Sequence, residues 1–326
     1  MVSTTNKSYI GIDLGGTNIV AAVLVGHKVI ARDKTKTKAE SGAEAVIKRI
    51  GHITQKVIAQ AENDGIEIGG VGIGAPGVVN TKTGVVINAV NLRWNNFPLA
   101  EALGKELSLP VVVDNDVNVG TWGEYQAGAG TGHDHMLGIF IGTGIGGGLI
   151  INGHLYYGHH MTAGEIGHTI IEAGAVTGRN RLEHLASRNS MANLLGQLIQ
   201  SNHPSIIEKL TGRDLTRIRS KVLSAAMQQN DPLTQQVIGA AANHIGIAIA
   251  NAVTLLSLSC VVVGGGVTEA LSTDWMQQIR QSFKEHVFPP ELKHCKVVAS
   301  CLKDDAGVIG AALLAQQYLE QACPGQ

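Results

Sequence analysis

Two hydrophobic periods alternate along this 326-residue chain. Tyr9 to Val25 is apolar and β-branched on both sides of the turn Asp13-Leu-Gly-Gly-Thr17. A second turn, Gly26-His27, leads into Val29-Ile-Ala31. Short apolar runs separated by glycine turns predict three successive antiparallel strands. From Ala43 to Asn63 the spacing becomes helical, with Ala45, Val46, Ile50, Ile53, Val57 and Ile58 on one side. Gly70 to Gly74 reads as a buried strand ending in Ala75-Pro-Gly77, and Leu99 to Leu107 as a helix. Pro110 to Val113 reads as a strand closed by Asp114-Asn-Asp-Val-Asn118, with a helix from about Val117 to Ala127.

The opening pattern then returns. His135 to Ile151 is strand, glycine turn, strand, and Gly153-His154 repeats Gly26-His27. A shift of 127 positions aligns Gly11 with Gly138, Ile12 with Ile139, Gly15 with Gly142, Gly26 with Gly153 and His27 with His154. These identities fall on turns and strands of equal length, so one three-stranded unit is used twice. Two glycine-rich hairpins matching by chance is the weaker alternative. The second half adds helices over Leu185–Ser201 and Thr234–Leu256. A buried strand Cys260–Val263 runs into Gly264-Gly-Gly266, and a short strand Val297–Ala299 precedes a closing helix, Ala306–Ala322. Strands mixed with helices predict an α/β fold. The expected division is a smaller N-terminal domain, 1–115 plus the closing helix 306–322, and a larger one, 116–305. Chain crossings near Asn115 and Asp305 would form a hinge.

Composition narrows the function. Net charge is −1, which supplies no strong field for nucleic acid or membrane. The N-terminus lacks the apolar stretch of a signal peptide, and no run is read as long enough to span a bilayer, so a cytoplasmic protein is expected. Cys260, Cys295, Cys301 and Cys323 show no disulfide or CxxC spacing. The 41 glycines cluster at the ends of apolar runs, where the backbone can approach a ligand closely.

Three loops carry that possibility. Asp13-Leu-Gly-Gly-Thr17 offers the backbone N–H groups of Gly15 and Gly16 and the Thr17 hydroxyl as an anion cradle. Asp13 could hold a hydrated Mg²⁺. An ordinary glycine hairpin with an Asp at its mouth fits equally well. Gly142-Thr-Gly-Ile-Gly-Gly-Gly148 stands at the equivalent place in the second unit. It resembles a dinucleotide fingerprint, but a strand follows it rather than a helix, and it lacks the Lys-Ser/Thr of a P-loop. Two such loops facing each other would grip a nucleotide, through Gly142, Thr143 and Gly144 on the second side. Gly264, Gly265 and Gly266 form either an approach to adenine or ribose, or a plain strand–helix turn. Asp116, at a strand end before a helix, could accept a hydroxyl proton during phosphoryl transfer, or cap the helix.

These loops, with Ala75-Pro-Gly77, Asn91-Leu-Arg-Trp94, Asn115-Asp-Val-Asn118 and Ala163-Gly-Glu-Ile-Gly-His168, resemble those of the ROK family (repressors, open reading frames, kinases). The resemblance runs in order through nearly the whole chain. It implies an actin-like, hexokinase-like (ribonuclease H-like) ATPase fold of two related domains with a cleft between them. It also implies ATP- and Mg²⁺-dependent phosphorylation of a hexose or amino sugar, usually at the 6-hydroxyl, often in a homodimer. Carried over residue by residue, it makes Asp116 the catalytic base. It assigns Gly77, Asn91, Asn115, Glu165, His168 and Glu183 to the sugar, and the three glycine loops to the nucleotide.

One segment departs from the pattern. The family follows its Gly-His with a cysteine-rich loop whose cysteines, with that His, bind a structural zinc. Here Gly167 to Glu183 contains no cysteine, so four N or S ligands cannot be assembled and zinc is expected to be absent. His168 then keeps only its sugar role, with its tautomer fixed by some other acceptor. Arg179 and Arg181 could pair with Glu172 or Glu183. Glucose is the expected substrate, with N-acetylmannosamine, N-acetylglucosamine, allose and fructose as alternatives. Polyphosphate as donor ranks low, because no cluster of Lys and Arg is visible. A DNA-binding repressor is not expected, since only eight residues precede Tyr9. A sugar-binding regulator without kinase activity is the alternative of another class.

Overall fold

The computed structural model describes residues 7–322; Cys323 lies outside them. The first unit folds as anticipated into strands β1 (Ser8–Leu14), β2 (Asn18–Val25) and β3 (Lys28–Lys36), then helix α1 (Ala43–Asn63) and strand β4 (Ile68–Ala75). Three short strands follow, β5 (Val78–Asn80), β6 (Val85–Ala89) and β7 (Trp94–Phe97), which form a small antiparallel sheet. Helix α2 (Leu99–Leu107), β8 (Val111–Asn115) and α3 (Asp116–Ala127) complete this half. The second unit contains β9 (Met136–Ile141), β10 (Ile145–Ile151) and the two-residue β11 (His154–Leu155). Helices α4 (Leu182–Ala186), α5 (Arg188–Gln200), α6 (Ile207–Thr211), α7 (Ser220–Gln228) and α8 (Pro232–Leu256) follow. Then come β12 (Cys260–Gly264), α9 (Gly266–His286), β13 (Lys296–Ala299) and α10 (Ala306–Ala322).

The two large sheets have one topology. Their orders are β3-β2-β1-β4-β8 and β11-β10-β9-β12-β13. In each, two antiparallel pairings are followed by two parallel ones. The Gly11–Gly138 correspondence has a physical reason. Gly11 pairs with Gly72 across β1 and β4, and a Cβ on either would lie 1.7–1.8 Å from a backbone carbonyl oxygen of α10. Gly138 pairs with Gly148 across β9 and β10, and a Cβ on either would press on Thr121 of α3. Each sheet therefore uses a cross-strand glycine pair to admit a helix at close range. Helices α10 and α3 also pack on one another, with Gly310 set against Val119.

The outer faces bury separate cores. Ile10, Ile12 and Leu14 pack with Ile50, Ile53 and Val57 of α1. Ile139, Val261 and Val263 pack with residues of α8 and α9 such as Ile245, Ile249 and Ile279. Each fully buried aliphatic side chain contributes roughly 1.5–3 kcal/mol, so the helices need little intrinsic propensity to hold their place.

Four sequence expectations change. The β5–β7 sheet was not anticipated. The helix expected over Leu185–Ser201 is broken at Ser187, whose extended backbone and hydroxyl, accepting the Ser190 N–H at 3.2 Å, start α5 anew. The repeated hairpins differ by one residue: Val25 pairs with Lys28 around Gly26-His27, whereas Ile151 pairs with His154 around Asn152-Gly153. A register irregularity between Val23 and Leu24 accompanies the offset. Finally, α8 is by length and composition able to cross a membrane, although 56% of its most apolar window is buried in the core.

Candidate active site

The site gathers at the N-terminus of α3. Asn115, at the end of β8, caps that helix: its side-chain oxygen accepts the N–H groups of Val117 at 2.9 Å and Asn118 at 3.1 Å. Its amide nitrogen donates to the Gly77 carbonyl at 3.0 Å. That leaves one Asn115 N–H for a ligand. Gly77 has φ of 89°, and a Cβ there would meet the Asn88 carbonyl oxygen at 2.0 Å. Only glycine lets this turn reach Asn115.

Because Asn115 supplies the cap, Asp116 is not needed for it. Asp116 Oδ1 accepts the Val117 N–H at 2.9 Å, and Oδ2 has no hydrogen-bond partner among the described residues. Burial pushes its carboxyl up to about 7, with Asp13 and then Glu165 adding negative charge. Asp13, at the end of β1, is also raised, to about 6, first by burial and then by Asp304, against a smaller opposite effect of Lys34 and Arg32. Two carboxylates thus lie within electrostatic reach, and the charge of Asp13 favours the neutral form of Asp116.

The glycine loops meet the same helix end. A Cβ on Gly146 would touch Val117, and one on Gly307, at the start of α10, would touch Asp13. Gly16 lies beside Asn91, while Gly16 and Thr17 are exposed. Gly15 is held by its N–H to Asn18 at 2.9 Å and by Thr37 Oγ1, which donates to its carbonyl at 2.6 Å. Gly142 and Gly266 face open space. Gly265, with φ of 87°, sits against the backbone of Ile141, which brings the Gly264–Gly266 loop beside the Gly142–Gly146 loop.

Glu165 and His168 flank a short 3-10 turn and are about half exposed. Glu165 Oε2 lies 3.9 Å from His168 Nε2. Glu183 has a different setting: its Oε2 accepts the Ile145 N–H at 2.8 Å, and its carboxylate lies against Gly144. It braces the second loop from beneath.

The cysteine-free segment is closed by a backbone bridge and an ion pair. Ile170 bridges Arg181, and the N–H of Ile171 and the carbonyl of Asn180 bond at 2.8 Å. Glu172 pairs with His244 at 2.9 Å. Arg181 binds neither Glu172 nor Glu183, the two partners considered from sequence; its guanidinium donates to His168 Nδ1 at 3.2 Å. The tautomer of His168 is therefore set by a donor, not by an acceptor as expected. Nδ1 is the acceptor, so Nε2 carries the proton and faces Glu165. A zinc ion does not fit this chemistry, since Nδ1 is engaged and, among the described residues, no three His, Cys, Asp or Glu side chains converge as a ligand set.

Sequence reasoning missed two further contacts. Tyr157 donates to Asp114 Oδ2 at 2.6 Å, which ties the segment before Glu165 to the strand end that carries Asn115. Arg188 donates to Thr143 Oγ1 at 2.7 Å. Neither has a local sequence signal, because the partners are 43 and 45 residues apart.

Two sheets of the same order, with glycine loops and two carboxylates at their ends, define the actin-like, hexokinase-like fold class. The ROK family model matches residues 9–318, and the chain belongs to that family. It is 33% identical to a glucokinase of Halalkalibacterium halodurans over 96% of both chains. It is 32% identical to a glucokinase of Thermotoga maritima over 95% of this chain and 98% of that one. The structure resembles a ROK family glucokinase from Streptomyces griseus solved in complex with glucose and AMPPNP. The TM-score is 0.83 at 32% identity, covering 95% of this chain and 99% of that one.

Proposed function

We propose that this chain is a glucokinase, which transfers the γ-phosphoryl group of ATP to the 6-hydroxyl of free glucose. The observation that carries the reading is the half-buried Asp116 carboxylate. It has a free oxygen and a pKa near 7, between the Asp13 loop and Glu165. Phosphoryl transfer asks mainly for positioning and charge neutralisation, and an acceptor for the hydroxyl proton completes it. The glucokinase relatives, similar over nearly the full length, support glucose as the acceptor.

In this reading, Asn91, the free Asn115 N–H, Glu165 and the Nε2–H of His168 hold sugar hydroxyls. Glu165 accepts and His168 donates, which suits neighbouring hydroxyls that do both. Glu183 reaches the sugar only if its bond to Ile145 is exchanged, so it couples occupancy of the sugar site to the shape of the second loop. The N–H groups around Gly15, Gly16, Gly142 and Gly144, with Thr17 and Thr143, hold phosphates, and Gly264–Gly266 lies against the nucleoside. The buried carboxylate of Asp13, beside Asp304, suits a hydrated Mg²⁺ rather than an all-protein cage. When bound, that ion neutralises charge on the donor phosphates. Closure of 116–305 onto 1–115 plus 306–322 would exclude water, the competing acceptor.

Initial rates with Mg·ATP across glucose, N-acetylmannosamine, N-acetylglucosamine, allose and fructose test this. Glucose should give the highest kcat/KM. A higher value with an N-acetylhexosamine would transfer the assignment to that sugar.

A further inference from the structure

Arg188 opens α5 directly beside the second glycine loop. Its backbone N–H donates to the Gly142 carbonyl at 3.0 Å, which fixes the helix end to the loop. Its guanidinium donates through Nη2 to Thr143 Oγ1 at 2.7 Å and, more weakly, to Asn189 Oδ1 at 3.3 Å. Its Nε is buried and has no partner among the described residues. No carboxylate pairs with it among the described residues. The neighbouring charge is a second cation, Arg219, which together with burial disfavours the charged guanidinium. A half-buried guanidinium with no anion, an orphaned N–H and a like charge nearby lacks compensation within the chain.

The surroundings indicate what compensates it. Gly142 faces open space. The Thr143 hydroxyl accepts from Arg188, so its own proton is free to donate outward. A fork of guanidinium N–H groups, one hydroxyl and adjacent glycine N–H groups matches the oxygens of a phosphate chain. We propose that Arg188, with Arg219 adding to the local positive field, is a binding residue for the polyphosphate chain of the nucleotide donor. It reads the charge of the phosphates through the Thr143 loop. The inference rests on the reading of this chain as an ATP-dependent kinase and adds a donor-recognition residue on the α5 side of the loop.

The test is direct binding, without turnover, of ATP, AMP and adenosine to the wild-type chain, Arg188→Gln and Arg188→Lys, with glucose binding measured on the same samples. Gln keeps a hydrogen bond to Thr143 and removes the charge. Loss of one charge-assisted contact should weaken ATP by about tenfold or more in Arg188→Gln. AMP should weaken less, adenosine and glucose should be unchanged, and Arg188→Lys should recover part of the ATP affinity. Unchanged ATP affinity in Arg188→Gln, an equal loss for adenosine, or no recovery in Arg188→Lys would overturn the proposal. Failure of the wild-type chain to bind ATP at all would instead overturn the kinase reading beneath it.

Discussion

Replacing Asp116 by Asn should make the protein more stable at neutral pH while removing its activity. The shift of the carboxyl from 3.8 to about 7 is about three units, or on the order of 4 kcal/mol at 1.36 kcal/mol per unit. Asp116 keeps some solvent contact, and part of the shift arises from Asp13, so a gain of about 2 kcal/mol is the working value. The sign follows from proton linkage. The folded state holds its proton up to about pH 7, whereas the unfolded chain releases it near pH 4. Stability therefore falls as pH rises between those values and stays low above pH 7. Asparagine can keep the Val117 N–H bond to Oδ1 and carries no charge. Denaturant unfolding of both proteins at pH 8 and pH 5 should show a gain at pH 8 that is smaller at pH 5. The kcat of the variant with glucose should drop about 10²–10⁴-fold. Equal stability changes at both pH values, or a loss at pH 8, would refute the claim that the folded site holds a strained carboxylate.

Other consequences follow from the same geometry. In the wild-type chain kcat/KM for glucose should rise with pH through about 7 and then level off, and the residual rate of Asp116→Asn should lack that inflection. Arg181→Met should raise KM for glucose several-fold with little change in KM for ATP, because His168 loses the donor that fixes its tautomer; equal effects on both substrates would point to general unfolding of the segment. Gly310→Ala should destabilise by about 1–3 kcal/mol or more, since its Cβ would sit 1.7 Å from the Val119 carbonyl oxygen, and an unchanged Tm would contradict that packing. Dialysis against a zinc chelator should leave Tm unchanged, and a drop of many degrees would reveal a structural metal.

Much of the fold was visible where periodicity was long or turns were chemically constrained. Helices α1, α2 and α10 begin and end where the apolar spacing indicates. The repeated unit was visible because Gly11 and Gly138 admit a helix that any side chain would exclude. The β5–β7 sheet was not visible, since its strands are three to five residues long and include exposed Asn88, Asn95 and Asn96, with no alternation to read. The break at Ser187 was hidden by apolar spacing that continues through it; a capping serine followed by polar residues was the available signal. The glycine loops and Asp116 were legible as candidate chemistry, but their assembly into one site was legible only by resemblance. Asp13 and Asp116 are 103 positions apart in sequence, and nothing in composition or spacing brings their carboxylates together. The tie from Arg181 to His168 shows the same limit, because the charge partners were weighed from sequence and the actual partner is an imidazole nitrogen.

The most direct measurement is product identification by phosphorus NMR after incubating the purified chain with glucose and Mg·ATP. The account predicts glucose 6-phosphate and ADP in equal amounts, with neither formed by Asp116→Asn on the same time scale. Glucose that binds without acquiring phosphate would contradict it and would make the chain a sugar-binding regulator.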